Sequence, residues 1–144
     1  MWIMTRSASA VVAALIVGVF IDLDHVPDYY RWLIQGKTDR VTFFAHSYEF
    51  IVPALVVSYF SEWSPIAVAA TIAFIVHVVS DQIFNPVAPL TYFLTYRIFK
   101  RFRREALIRS SVEDGYEQVT TIPIVGRYIK KFIHAMRKEP LPWQ

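Results

Sequence analysis

Phe20-Ile-Asp-Leu-Asp-His-Val-Pro-Asp28 (FIDLDHVPD) closes a run, residues 7–21, that contains no charged residue. Three carboxylates and a histidine then arrive within seven positions. Ionisable groups at the end of an apolar helix are costly unless they face one another, a wet cavity or a ligand. Residues 2–21 form a twenty-residue run whose one charge is Arg6. At about 1.5 Å per residue the run covers about 30 Å, enough to cross a bilayer if Arg6 snorkels to the interface. The small residues 7–10 precede the apolar run, whereas a signal-peptide cleavage site follows it, so the segment reads as a retained anchor. Pro27 is expected to stop this helix, leaving Asp24 and His25 in the turn beyond it.

The remaining chain offers further apolar runs. Residues 41–61 include His46 and Glu49, and residues 63–80 carry His77 near their end, with Asp81 just after. Glu62 and Ser64-Pro65 mark a tight turn between them. Residues 82–96 are uncharged but short and interrupted by Pro86 and Pro89; the reading favoured here is a fourth crossing, with the N-terminus inside and the ionisable layer facing outward. The composition agrees with a membrane protein. Of 144 residues, 55% are hydrophobic and 19% charged, and mean hydropathy is +0.36. There is no cysteine, which excludes disulfides and cysteine-ligated zinc.

Charge is uneven. Residues 1–96 carry four Lys and Arg against seven Asp and Glu, whereas residues 97–144 carry eleven against five. From Val125 the apolar residues Val125, Tyr128, Ile129, Phe132, Ile133 and Met136 recur at helical steps, with Arg127, Lys130, Lys131, His134 and Arg137 on the other face. This is a basic amphipathic helix suited to lipid headgroups rather than nucleic acid. His134 belongs to its polar face.

Alternating spans bring distant residues into one layer: Asp22, Asp24 and His25 at the end of the first, His46 at the start of the second, His77 and Asp81 at the end of the third. His77 and Asp81, four apart, share a helix face, and His46 and Glu49, three apart, are expected to do the same. Imidazole nitrogens with carboxylate oxygens suit zinc, manganese or iron. Alone, each histidine reads as a hydrogen-bonded residue at a helix end, and each DxD as a cap or loop.

In order and placement, Asp22-Leu-Asp24-His25, His46-Ser47 and His77-Val-Val-Ser-Asp81 resemble the inner-membrane metal-dependent hydrolase family, the YdjM-like proteins, over residues 8–96. The family's His-Arg-Gly before the His-Ser is Val41-Thr-Phe43 here, and its histidine in the first span is absent. The resemblance implies an integral protein of the prokaryotic inner membrane and points distantly to phospholipid substrates.

The sequence therefore predicts an all-α integral membrane helical bundle with three or four transmembrane helices (residues 1–96) and a C-terminal basic amphipathic surface tail (residues 97–144). The expected function is metal-dependent hydrolysis of a phosphate ester or lipid headgroup, with zinc ahead of manganese or iron. Asp24, His46, His77 and Asp81 are the expected metal ligands. Asp22 and Glu49 would orient a ligand or act as general base, and His25 would bind metal or donate a proton. Two alternatives stand beside it: a non-enzymatic membrane protein whose polar layer is a structural network and whose tail binds a partner or lipid, and a helical-bundle di-iron protein built on His46-x-x-Glu49.

Overall fold

The computed structural model describes residues 7–110 and the helix Val125–Met136. The described residues are mostly helical and contain no strand; two isolated antiparallel bridges, Arg40 with Arg103 and Val87 with Ile108, tie loops together. Two helices, Ala8–Ile34 and Pro65–Phe84, are long and apolar enough to cross a membrane.

The first helix opens as α1 (Ala8–Phe20), capped by Ser7, whose Oγ accepts the Ala10 N–H at 3.4 Å. It does not stop at Pro27. The DLDH stretch winds as a 3₁₀ turn (Ile21–His25), α2 follows (Val26–Tyr29), and the last segment, Tyr30–Ile34, is π-helical. Pro27 falls in the first turn of α2, where the backbone N–H it lacks has little to bond. The switch of winding accommodates the proline instead of ending the helix.

Residues 41–47, expected to open the second span, form an irregular loop. A 3₁₀ turn (Tyr48–Phe50) then leads into α3 (Ile51–Phe60). The expected tight turn is present: Glu62 and Trp63 both take the left-handed conformation (φ 53° and 56°), and Ser64 caps α4 (Pro65–Phe84). α4 packs along α1 and α3. Between α3 and α4, Ser58 Oγ lies 2.9 Å from Thr71 Oγ1, which also donates to Ala54 O at 3.2 Å.

Residues 82–96, expected as a fourth crossing, contain no continuous helix long enough to span a membrane. α4 ends at Phe84, turns follow, and α5 (Leu94–Phe99) and α6 (Arg104–Leu107) fold back over the end of the bundle that carries Asp22. Pro86 and Pro89 interrupt the helical ladder, and backbone bonds close the layer: Val41 N–H to Phe102 O at 3.0 Å, Arg104 N–H to Asp39 O at 2.9 Å and Ala88 N–H to Leu107 O at 2.9 Å. Residues 97–110, expected to open the basic tail, are tied by these bonds to the loop at residues 39–41 and the turn at residues 86–88.

The main buried cluster lies at the cap end: Ile21, Val41, Phe43, Val78, Tyr92 and Leu107. The amphipathic helix α7 (Val125–Met136) forms as the periodicity predicts, with Tyr128 and Phe132 exposed. His134 lies outside the residues whose side chains are described, and Arg137 outside the described residues altogether.

Candidate metal centre

Two helix ends and one loop meet beneath the cap. The 3₁₀ turn supplies Asp22 and Asp24, the loop supplies His46, and the last two turns of α4 supply His77 and Asp81. His46 Nε2 lies 3.1 Å from His77 Nε2, 3.2 Å from Asp22 Oδ1 and 3.2 Å from Asp81 Oδ2. His77 Nε2 lies 3.2 Å from Asp22 Oδ1 and 3.3 Å from Asp81 Oδ2. Five of the six separations among these four donor atoms thus fall between 3.1 and 3.3 Å, and all four atoms lie within 4.8 Å of one another. His46 is fully buried, His77 and Asp81 are partly buried, and the Asp22 side chain is 57% exposed. The centre is therefore reached from the Asp22 side.

Asp24 stands behind His46. Its Oδ1 is 3.0 Å from His46 Nδ1, and its Oδ2 accepts the Ala45 N–H at 2.6 Å. The carboxylate at Nδ1 fixes the ring's orientation and turns Nε2 toward the cluster. Two imidazole nitrogens and two carboxylate oxygens then converge, and such an arrangement needs a cation or protons at its centre. Asp24, His25 and His46 form a second group of donors within 4.8 Å. The His25 ring stacks on His46 with centroids 4.4 Å apart, and its Nδ1 lies 3.0 Å from Asp24 Oδ1 without the alignment of a hydrogen bond.

Glu49 is engaged elsewhere. Its carboxylate accepts the Leu94 and Thr95 N–H groups and the Thr95 hydroxyl, each at 2.9 Å, so it caps α5. His46 precedes the helix while Glu49 sits in its first turn, so the three-residue spacing does not bring them to one face.

Several residues that the motif reading passed over position the centre. Arg97 is fully buried beneath the His46 loop. Its guanidinium donates to Phe43 O, to His46 O at 3.1 Å and to Ser47 Oγ, with the Phe43 ring 4.5 Å from its carbon centre. Burial pushes this guanidinium down to about 10, with nearby carboxylates opposing the shift, and it stays charged at neutral pH. Asp28, also buried, accepts the Thr42 N–H and hydroxyl at 2.6–2.8 Å and so pins the start of the loop to α2. Asn85 Nδ2 donates to Tyr92 Oη at 2.9 Å, holding the phenol beside the loop. A sequence signal existed for Asp28, one helical turn beyond Asp24; for Arg97 the only signal was its place at the end of an apolar run, ahead of the cations at residues 100–104.

No family model matches the chain, and no curated protein or solved structure is significantly similar to it.

Proposed function

We propose that the chain is an integral membrane protein whose cap holds one divalent metal ion and hydrolyses the phosphate ester of a lipid headgroup. The observation that carries this reading is the spacing of the four donor atoms. A tetrahedron with metal–ligand distances of about 2.0–2.1 Å has edges of about 3.3–3.4 Å, and the five short separations are 3.1–3.3 Å. The two-nitrogen, two-oxygen set suits zinc, and also manganese or iron.

On this reading the roles expected for Asp22 and Asp24 are exchanged. Asp22 joins His46, His77 and Asp81 around the ion, and Asp24 orients His46 from behind. When bound, the metal lowers the pKa of a water and polarises a phosphoryl oxygen. Asp22, the most exposed of the four, is the group a substrate meets first, and its second oxygen is available to take the water's proton. As the water oxygen bonds to phosphorus, the ester P–O bond would break, and the alkoxide leaving group would take a proton from Asp22 or solvent. With Glu49 spent on α5, the di-iron alternative loses its extra carboxylate.

Topology follows from charge. The cap end carries Arg31, Lys37, Arg40 and every basic residue from Arg97 to Arg109, whereas the opposite end carries only Arg6 before the first helix and Glu62 in the turn at residues 61–64. Such an excess beside a span favours the cytoplasm, which puts the centre inside and the start of α1 outside. This reverses the outward-facing site expected from a fourth crossing.

One specific feature favours a second reading. Four protein donors fill a tetrahedron, as in structural zinc sites, whereas catalytic sites keep a position open. Metal content and turnover separate the two. Purified protein should hold about one ion per chain, and the His77→Ala, Asp81→Ala double variant should hold none. In proteoliposomes of acidic phospholipid the loaded protein should release a headgroup product, and chelation should stop it. Stoichiometric metal without turnover on any phosphate ester would leave a structural ion. Background metal in wild type and variant alike would leave a hydrogen-bond network and sink the hydrolase.

A further inference from the structure

Apart from the candidate metal centre, the cap has a second concavity. Loop residues 38–40 and the segment 101–105 enclose a cleft of about 480 Å³ lined by Arg40, Arg101, Arg103, Arg104, Asp39 and Glu105. Cationic groups outnumber carboxylates four to two among these residues. One of the two carboxylates is already neutralised: Asp39 accepts from Arg31 at 3.1 Å and lies 3.7 Å from Arg40. Arg101 and Arg103 form no side-chain hydrogen bond or ion pair among the described residues, and both are exposed.

The backbone that presents these arginines is unusual. Arg101 and Phe102 take consecutive left-handed conformations (φ 53° and 56°), which side chains other than glycine and asparagine seldom adopt. The turn is fixed by Arg101 N–H to Ile98 O and Phe102 N–H to Arg97 O, both at 2.9 Å, and Arg103 bridges Arg40. It splits neighbours by chemistry: Phe102 packs on Phe44, rings 5.4 Å apart, while Arg101 and Arg103 line the cleft. Ile98 and Phe99, just before the turn, are exposed. Guanidinium groups beside exposed aromatic and aliphatic side chains are the pattern of a surface at headgroup depth.

We infer that this cleft binds a phosphate-bearing anion. Planar guanidinium groups recognise phosphate oxygens in pairs, and the volume is that of a headgroup-sized ligand rather than a bare ion. The site is separate from the metal centre and does not depend on hydrolysis. The same chemistry is offered by an acidic phospholipid and by a soluble phosphate ester, and the test distinguishes them.

Native mass spectrometry of detergent-purified protein with equimolar phosphatidylglycerol and phosphatidylcholine counts retained lipids. Wild type should prefer phosphatidylglycerol by about tenfold, the effect of roughly one well-formed charged contact. Arg101→Gln with Arg103→Gln should abolish the preference. Glu105→Gln, which removes a repelling carboxylate from the lining, should strengthen it and guards against a folding defect in the double variant. In the parallel arm, calorimetry with glycerol 3-phosphate reads the soluble source: binding there, lost in the double variant, assigns the cleft to a soluble ester, and its absence assigns it to lipid. Absence of both lipid preference and glycerol phosphate binding overturns the proposal. So does a preference that neither the double variant nor Glu105→Gln alters.

Discussion

In the helical stem, α1 buries only Ala10, α3 only Ser58, and α4 only Ala69, Thr71 and Val78. Large apolar side chains such as Val12, Leu15, Val57 and Phe60 stay exposed around it. In the cap, by contrast, Arg97, His46, Asp28, Thr91 and Ser47 are all buried, each bonded to backbone or side chain. Lipid is as apolar as leucine, so a stem in a membrane gains little from burying leucine and is held by close approach of small residues and the occasional hydroxyl pair. The cap is instead held by directional bonds to buried polar side chains. The stem supplies the platform and the cap supplies the precision.

That contrast can be broken in several ways, the first all-or-none. Single cysteines at Lys37 and Arg109 should share one reactivity toward an impermeant maleimide, and one at Glu62 should show the opposite. Opposite labelling of Lys37 and Arg109 would mean that residues 82–96 cross after all and that the cap is not one layer.

Arg97→Met removes the guanidinium from three acceptors of the His46 loop. Leaving buried carbonyls unpaired should cost about 3 kcal/mol or more. Metal retention should fall sharply while helical circular dichroism from the stem persists. Arg97→Lys keeps the charge but not the fork, and should recover only part of the loss. Unchanged metal binding in Arg97→Met would show that the loop holds itself.

A smaller effect is expected for Glu49→Ala, which uncaps α5, the helix that carries Arg97. The loss should be about 1–2 kcal/mol in the thermal melt, with metal bound more weakly rather than not at all. Complete loss of metal would instead make Glu49 a ligand in a rearranged site.

The smallest belongs to the stem. Thr71→Val deletes the bonds to Ser58 and Ala54 O and should cost about 1 kcal/mol, with metal content unchanged. A metal defect there would couple stem and cap more tightly than their bonding suggests.

The convergence of these side chains was readable from the chain because helix direction alone decides which ends meet. Asp22, His46, His77 and Asp81 are collected by antiparallel connection, whatever the details of packing. Which aspartate faces inward was not readable. In a 3₁₀ turn residues two apart diverge by about 120°, so Asp22 and Asp24 must point to different partners, and only the position of the His46 loop decides which. The course of residues 82–110 was hidden for a related reason. An apolar run with one arginine reads as a span with a snorkelling end, and what buries Arg97 is a set of carbonyls some fifty positions earlier in the chain. Glu49 misled because spacing on a helix was assumed where the helix had not yet begun.

The stem is also uneven in length. α4 has twenty residues, but its neighbour α3, with the preceding 3₁₀ turn, has thirteen. At about 1.5 Å per residue these are about 30 Å and 20 Å, against a hydrocarbon core of about 30 Å. A bilayer around this protein would have to thin on the α3 side, drawing headgroups and water toward the layer of His46, His77 and Asp81 on the flank where the chain is shortest. Membrane thickness would then act on the protein as a variable in its own right, with shorter acyl chains relieving the distortion and longer ones increasing it.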